Sequence, residues 1–167
     1  TSSELKIKMQ QPQPMASEVS FPKLVFAKKV SVYDGKEAWV MKGKWADFGN
    51  KQAKCSRTAG DEISFTFEGT GVSIVGHWLR DGGRADVYVD GQLKRTIDCY
   101  FYFAKQEHQN MDLYHIFNLP QGIHTVKLVV KGDKRPESSG TNVYISEALI
   151  FKTADKINEN YKFSFQK

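Results

Sequence analysis

Along most of the chain, hydrophobic and polar residues alternate with a period of two. Ile63, Phe65 and Phe67 alternate with Ser64, Thr66 and Glu68, and Ala85, Val87 and Val89 alternate with Arg84, Asp86 and Tyr88. Val126, Leu128 and Val130 alternate with Thr125, Lys127 and Val129. One apolar face and one wetted face are what a half-buried strand requires. Val143, Ile145 and the stretch 148–151 extend the series, and segments 24–33, 38–41, 72–79 and 113–117 are further strand candidates. No stretch carries a 3.6-residue period, so the pattern predicts eight to ten short strands and an all-β chain. Turn signals punctuate these strands at Asp34-Gly35, Ala59-Gly60-Asp61, Gly69-Thr70-Gly71, Asp81-Gly82-Gly83, Asp90-Gly91, Gln121-Gly122 and Gly132-Asp133. Regular strands between such turns predict a sandwich or barrel.

The Asp90-Gly91 turn allows a sharper expectation. A two-residue loop with regular pairing would set Val89 against Gln92 and Val87 against Lys94, placing the apolar face opposite polar side chains. A three-residue loop over Asp90, Gly91 and Gln92 pairs Val89 with Leu93 and Ala85 with Ile97. An odd-length loop or a bulge is therefore predicted here.

The ends differ from the middle. Gln10-Gln11-Pro12-Gln13-Pro14 cannot sit in a central strand, since each proline removes a ladder donor. Residues 1–22 are read as a leading edge strand (5–9) and a Pro/Gln-rich connection, 23–153 as the β-sandwich, and 154–167 as a solvated tail. The chain opens on Thr1, as a mature or excised domain would. No apolar run approaches the ~18 residues of a membrane-spanning helix.

Composition adds little direction. The 24 Lys and Arg against 19 Asp and Glu leave a net +5, but residues 61–115 hold 5 basic and 9 acidic side chains. The excess is confined to the flanks and no dense basic cluster appears, which argues against a nucleic-acid partner. Cys55 and Cys99 lie far apart without a CxxC or paired histidines, so neither a zinc site nor a thioredoxin-like motif is indicated. A disulfide between distant strands and two free thiols both remain open.

Catalytic signatures are missing: the chain has no G-x-S-x-G, no H-E-x-x-H, no P-loop and no dinucleotide fingerprint. Asp81, Asp86, Asp90 and Asp98 cluster in sequence, but they read as turn and strand-face acids. His77, His108, His115 and His124 lack Cys or Glu at ligand spacing and read as polar or hydrogen-bonding residues. The unusual feature is a group of aromatic and polar residues at presumed strand ends: His77-Trp78-Leu79-Arg80-Asp81, then Tyr100-Phe101-Tyr102-Phe103, then Tyr114-His115. Sugar recognition calls for this mixture, a flat aromatic face for C–H groups beside planar polar groups for hydroxyls.

Three segments carry a resemblance. Gly60-Asp61-Glu62-Ile63-Ser64-Phe65-Thr66-Phe67-Glu68-Gly69-Thr70-Gly71-Val72 resembles the strand–turn–strand core of galactose-binding-like jelly rolls. Ala85-Asp86-Val87-Tyr88-Val89-Asp90-Gly91 resembles their V-x-V-D-G hairpin, and Leu119-Pro120-Gln121-Gly122-Ile123-His124-Thr125-Val126-Lys127-Leu128 their L-x-x-G-x-H segment. The three occur in that order within residues 20–153. The resemblance implies a jelly-roll sandwich of two antiparallel sheets, of the kind found as carbohydrate-binding modules or accessory domains of bacterial glycan-active enzymes. It implies a carbohydrate partner, a catalytic domain in the same parent chain, and an extracytoplasmic location, periplasmic or secreted. Many such modules hold a structural calcium, though no loop here has an evident oxygen-ligand spacing, and no other cofactor is implied. The matching motifs are scaffold motifs, so no ligand residue carries over from them.

From the residues themselves, Trp78, Tyr100 and Tyr102 are the expected stacking faces, and Arg80, Asp81, His115 and Arg135 the expected polar contacts. Arg135 enters because Lys134-Arg135-Pro136-Glu137-Ser138-Ser139-Gly140 is a long loop able to reach the same end. Two alternatives make different demands. A structural or protein-docking sandwich predicts buried Trp78 and Tyr100–Phe103 and no cleft. A small lyase or hydrolase predicts His77 or His115 within hydrogen-bond reach of a Tyr and an Arg.

Overall fold

A computed structural model of the chain describes residues 23–101 and 107–154. The chain divides into two compact units: Val25–Lys152, and a second made of Thr1–Leu24 with Thr153–Lys167, of which only Lys23, Leu24, Thr153 and Ala154 are described. The expected edge strand at 5–9 and nearly all of the expected tail lie outside the described residues.

Eleven strands and no helix occur among the described residues: β1 (Leu24–Ser31), β2 (Trp39–Lys42), β3 (Ala46–Phe48), β4 (Ala53–Ser56), β5 (Glu62–Gly69), β6 (Gly71–Trp78), β7 (Arg84–Val89), β8 (Gln92–Asp98), β9 (His108–Ile116), β10 (Gly122–Val130) and β11 (Val143–Thr153). Thus no described helix is long and apolar enough to cross a membrane. One sheet runs β3-β4-β11-β6-β9, with β1 also pairing β11, and the other runs β2-β5-β10-β7-β8. The result is an open sandwich of two antiparallel sheets, the predicted jelly-roll class. β8 and β9 end their sheets on one side of the sandwich.

The period-two segments become strands because each buries its apolar set between the sheets. Ile63, Phe65, Val87, Val126 and Leu128 from one sheet meet Val72, Ile74, Val143, Ile145 and Ala148 from the other, all fully buried. Each such Val, Ile, Leu or Phe side chain contributes ~1.5–3 kcal/mol on leaving water. Trp39 packs on Phe65 with ring centroids 4.6 Å apart and donates its indole N–H to the Val30 carbonyl (3.3 Å). The segments β3 and β4, which the alternation did not single out, are three and four residues long and too short to display a period.

The Asp90-Gly91 hairpin resolves the register question in favour of a bulge. The turn holds two residues, with φ of 51° at Asp90 and 84° at Gly91, so Val89 faces Gln92 and Tyr88 faces Leu93. The register then shifts, Lys94 is the extra residue, and Val87 faces Arg95 while Ala85 faces Ile97. The expected Ala85–Ile97 pair forms and the Val89–Leu93 pair does not; Leu93 is left exposed.

Two further bulges matter. β11 slips between Ile145 and Glu147, so its buried set changes from odd to even positions along one strand. β9 slips at Leu113, where Tyr114 faces Ile74 and Asp112 faces Val75, and both Leu113 and Tyr114 are buried.

The residues of the scaffold motifs hold one another. Asp90 Oδ1 accepts the Thr125 N–H (2.9 Å), and Asp90 Oδ2 lies 2.6 Å from His124 Nδ1. The other ring nitrogen, Nε2, lies 2.6 Å from the Pro120 carbonyl oxygen. Two acceptors on one imidazole favour two N–H donors, the charged form of the ring. Burial opposes that charge, but the Asp90 hydrogen bond, the Pro120 carbonyl and the Asp90 charge together raise the His124 pKa. The Asp90 carboxyl is lowered: burial pulls it up and is outweighed by the His124 and Thr125 hydrogen bonds.

Both cysteines are free. Burial pushes the Cys99 thiol up to about 12 and also raises Cys55, where the Asp81 charge adds to it.

Candidate functional site

Where β8 and β9 face each other across the open side of the sandwich, they leave a cleft of about 370 Å³. β8 supplies Arg95, Thr96, Ile97 and Asp98, and β9 supplies Asp112, Leu113, Tyr114 and His115. Trp78, at the end of β6, and Tyr100 and Phe101, just after β8, form an aromatic wall, and Arg135 enters from the loop after β10. Buried Ile97, Leu113 and Tyr114 make its floor.

Of the seven residues singled out from the sequence, Trp78, Tyr100, His115 and Arg135 come together here. The Trp78 indole is stacked on Phe101 (4.2 Å between centroids, 18° between planes) and meets the His108 ring nearly at right angles (6.2 Å). The Tyr100 N–H donates to Asp98 Oδ1 (2.9 Å). His115 pairs through Nδ1 with Asp112 Oδ2 (2.7 Å) and stacks on Phe117 (4.8 Å). Arg135 donates from Nε to Asp98 Oδ2 (3.1 Å), to which Arg84 Nε also lies close (3.7 Å). Asp98, read from the sequence as a solvated acid, is thus the residue that orients Tyr100 and Arg135.

Arg80 and Asp81 do not line this cleft. The Arg80 side chain is 81% exposed and forms an ion pair with Glu107 (3.6 Å). Asp81 accepts the Tyr144 hydroxyl on Oδ1 (2.6 Å) and the Asn142 amide on Oδ2 (2.9 Å), so both oxygens serve the fold. Burial, with the Asp81 hydrogen bond and charge, pushes the Tyr144 phenol well up. Instead of bridging hydroxyls, the turn at 80–82 secures the Arg135 loop. Ser138 is buried there, and its Oγ lies within hydrogen-bond distance of three carbonyls, Gly82 (2.6 Å), Gly140 (2.9 Å) and Arg80 (3.1 Å). Tyr102 lies outside the described residues.

The cleft is also lined by Arg95, Thr96 and Asp112, which the sequence pattern did not single out, and by Tyr114 and Asp98, which it marked without assigning them a contact. Arg95 and Tyr114 are at inward register positions, opposite Val87 and Ile74, because of the bulges at Lys94 and Leu113. Tyr114 is only 7% exposed and, among the described residues, its hydroxyl makes no hydrogen bond. Burial raises its pKa and the nearby Arg95 charge draws it partway back.

His77, the other candidate base, is 1% exposed. Its Nδ1 accepts the Asn110 N–H (3.1 Å), its Nε2 is buried without a partner among the described residues, and burial lowers its pKa. Among the described residues no three His, Cys, Asp or Glu side chains stand together as metal ligands, and the buried Asp61 carboxylate is taken by the Lys44 N–H and the Ser56 hydroxyl. These side chains do not offer calcium a cage.

No protein-family model matches the chain. The A type blood alpha-D-galactosamine galactosaminidase of Flavonifractor plautii is 28% identical over 125 residues, which are 72% of this chain and 10% of that protein. Among solved structures, a two-domain esterase active on acetylated mannans is 16% identical with a TM-score of 0.60, covering 89% of this chain and 40% of the esterase. The CBM36-1 domain of a multidomain xylanase from the hindgut metagenome of Trinervitermes trinervoides is 19% identical with a TM-score of 0.50, covering 77% of this chain and 98% of that domain. The chain therefore spans about a tenth of the galactosaminidase and less than half of the esterase. In architecture it is a jelly-roll sandwich like that carbohydrate-binding domain, which it matches over nearly the domain's whole length.

Proposed function

We propose that the chain is a non-catalytic carbohydrate-binding module that serves a larger glycan-processing enzyme. The observation that carries this reading is the cleft itself: a Trp78–Phe101 stack and Tyr100 beside guanidinium, carboxylate and imidazole groups, on an edge of the sandwich open to solvent. Its volume lies in the ~300–1,000 Å³ range of small-ligand sites. The fold is shared with the xylanase's carbohydrate-binding domain, and the sequence relative is a galactosaminidase of which the chain matches a small part. In the parent protein the module raises the local concentration of a tethered catalytic domain on its glycan, so a weak individual site suffices. Since glycan polymers lie mainly outside the cytoplasm, the module is extracytoplasmic in this reading.

Binding without chemistry fits the polar groups of the cleft. The partner of His115 is Asp112 and not a Tyr or Arg, and Asp98 is engaged by Arg135 and the Tyr100 N–H.

Affinity electrophoresis over a broad glycan panel tests the proposal. Wild type is expected to be retarded by at least one polysaccharide, and Trp78→Ala to weaken that binding by about tenfold or more, ~1.4 kcal/mol, measured at a temperature where the variant's circular dichroism shows it folded, since Trp78 also packs against the core. Failure of wild type to bind any member of the panel removes the proposal and leaves a structural or docking sandwich. Release of reducing ends or unsaturated sugar by the isolated chain overturns its non-catalytic part.

A further inference from the structure

Within the cleft the charges are unequally engaged. Asp98 is paired with Arg135, and Asp112 is hydrogen-bonded to His115, so both carboxylates are engaged by protein side chains. Arg95 differs: among the described residues it has no ion pair, though it faces inward opposite Val87 at the cleft mouth. An apolar side chain is the usual occupant of such a register position. Among the described residues, the cleft thus carries a free cation and no free anion.

Next to it is an unmet hydrogen-bonding group. The Tyr144 hydroxyl, on a ring buried to a similar extent, reaches Asp81, and the Tyr33 hydroxyl reaches the Ala53 carbonyl (2.8 Å). Tyr114 is more than nine-tenths buried on the cleft floor, and its hydroxyl reaches no partner among the described residues. That oxygen is not sealed into the core as His77 Nε2 is. A hydroxyl that the protein leaves unmatched and that opens toward the cleft is available to a ligand. Tyr114 and Arg95 offer one O–H and a planar fork of N–H donors to the same space, and such a fork matches a carboxylate in two-point geometry.

We infer that the cleft selects acidic sugars, with the carboxylate of a hexuronate residue received by Arg95 and Tyr114 while the pyranose ring lies along the wall formed by Trp78 and Tyr100. This inference rests on the carbohydrate-binding reading and narrows it. Arg95 is exposed, so a neutral sugar gains nothing from its charge, and an amino sugar meets a like charge with no unengaged carboxylate among the described lining residues to receive it. A sulfate ester carries the same anionic chemistry on a tetrahedral centre, and the test separates the two.

Isothermal titration of the whole chain with oligogalacturonate, oligoglucuronate and oligomannuronate, with neutral galacto-, xylo- and manno-oligosaccharides, and with a sulfated galactan oligosaccharide examines this. At least one uronate is expected to bind tenfold or more tightly than its neutral counterpart and than the sulfated probe, with affinity falling as salt rises. Arg95→Gln is expected to weaken uronate binding about tenfold or more, and Tyr114→Phe severalfold, while neither variant alters the circular dichroism spectrum. Binding of a neutral oligosaccharide that Trp78→Ala abolishes, with no preference for a uronate, overturns the acidic-sugar inference and leaves the module reading standing. Tightest binding of the sulfated probe overturns the carboxylate assignment. Uronate binding unchanged within twofold in both variants also overturns it, and Arg95 is then an inward edge charge of the kind that discourages strand pairing. No binding by any probe sinks both readings.

Discussion

The hairpin at Asp90 and the cleft between β8 and β9 are built from similar residues, yet they treat their polar groups in opposite ways. At the hairpin, Asp90 meets both His124 and the Thr125 N–H, and His124 meets both Asp90 and Pro120. In the cleft, Asp98 and Asp112 are likewise matched, but Tyr114 and Arg95 are left without hydrogen-bond or ion-pair partners among the described residues. Satisfaction at the first place makes a rigid corner, and shortage at the second leaves recognition capacity. The number of acidic and basic residues in a region therefore says less about its role than how many of them the fold itself consumes.

If the distinction holds, changes on the consumed side cost stability and changes on the unconsumed side cost binding. The largest effect is expected from Asp81→Ala, which strands the Tyr144 hydroxyl and the Asn142 amide together; a loss of ~2–4 kcal/mol in urea unfolding is expected, with the cleft intact in the molecules that remain folded. A loss below ~1 kcal/mol would move Asp81 back among the ligand-binding candidates.

His124→Gln is expected to cost less, ~1–2 kcal/mol, and to do so in a pH-dependent way. The folded-state pKa of His124 is raised above its unfolded value near 6.5. Its contribution is therefore fully present below about pH 6.5 and is lost as pH rises through the folded-state value. The gap between wild-type and His124→Gln unfolding midpoints should narrow from pH 6 upward. The Asp90 carboxyl is lowered, so its contribution is present above its unfolded value near 3.9 and lost as pH falls through the folded one. A gap independent of pH between 6 and 9 contradicts a charged His124.

The smallest change in stability belongs to Tyr114→Phe. Removing a hydroxyl with no partner among the described residues is expected to leave unfolding within ~0.5 kcal/mol of wild type or slightly raise it. A clear loss of stability would show that the hydroxyl is consumed after all, and would erase the contrast at its most exposed point.

The hairpin side was largely legible in the sequence. Period two marks its strands, Asp90-Gly91 marks its turn, and the mismatch of apolar faces across that turn announces a bulge. The cleft was legible in part: aromatic and polar residues crowded at strand ends indicate Trp78, Tyr100, His115 and Arg135. Arg95 went unmarked, and Tyr114 was marked without a role, for one physical reason. Each lies beside an extra residue, Lys94 or Leu113, that reverses the alternation, so extrapolating the period places them on the wrong face. Arg80 and Asp81 erred the other way, because chemistry suited to sugar hydroxyls is equally suited to a buried Tyr and Asn, and only the fold decides which is nearer.

The Ser138 anchor has a consequence for how the cleft can change. Its hydroxyl addresses backbone carbonyls at Arg80, Gly82 and Gly140, which are present whatever side chains surround them. Apart from Arg135, which Asp98 also holds through its side chain, the residues between Lys134 and Glu137 are therefore attached in a way that does not depend on their own identities. A library randomised there, with Arg135 and Ser138 kept, should yield folded members at high frequency.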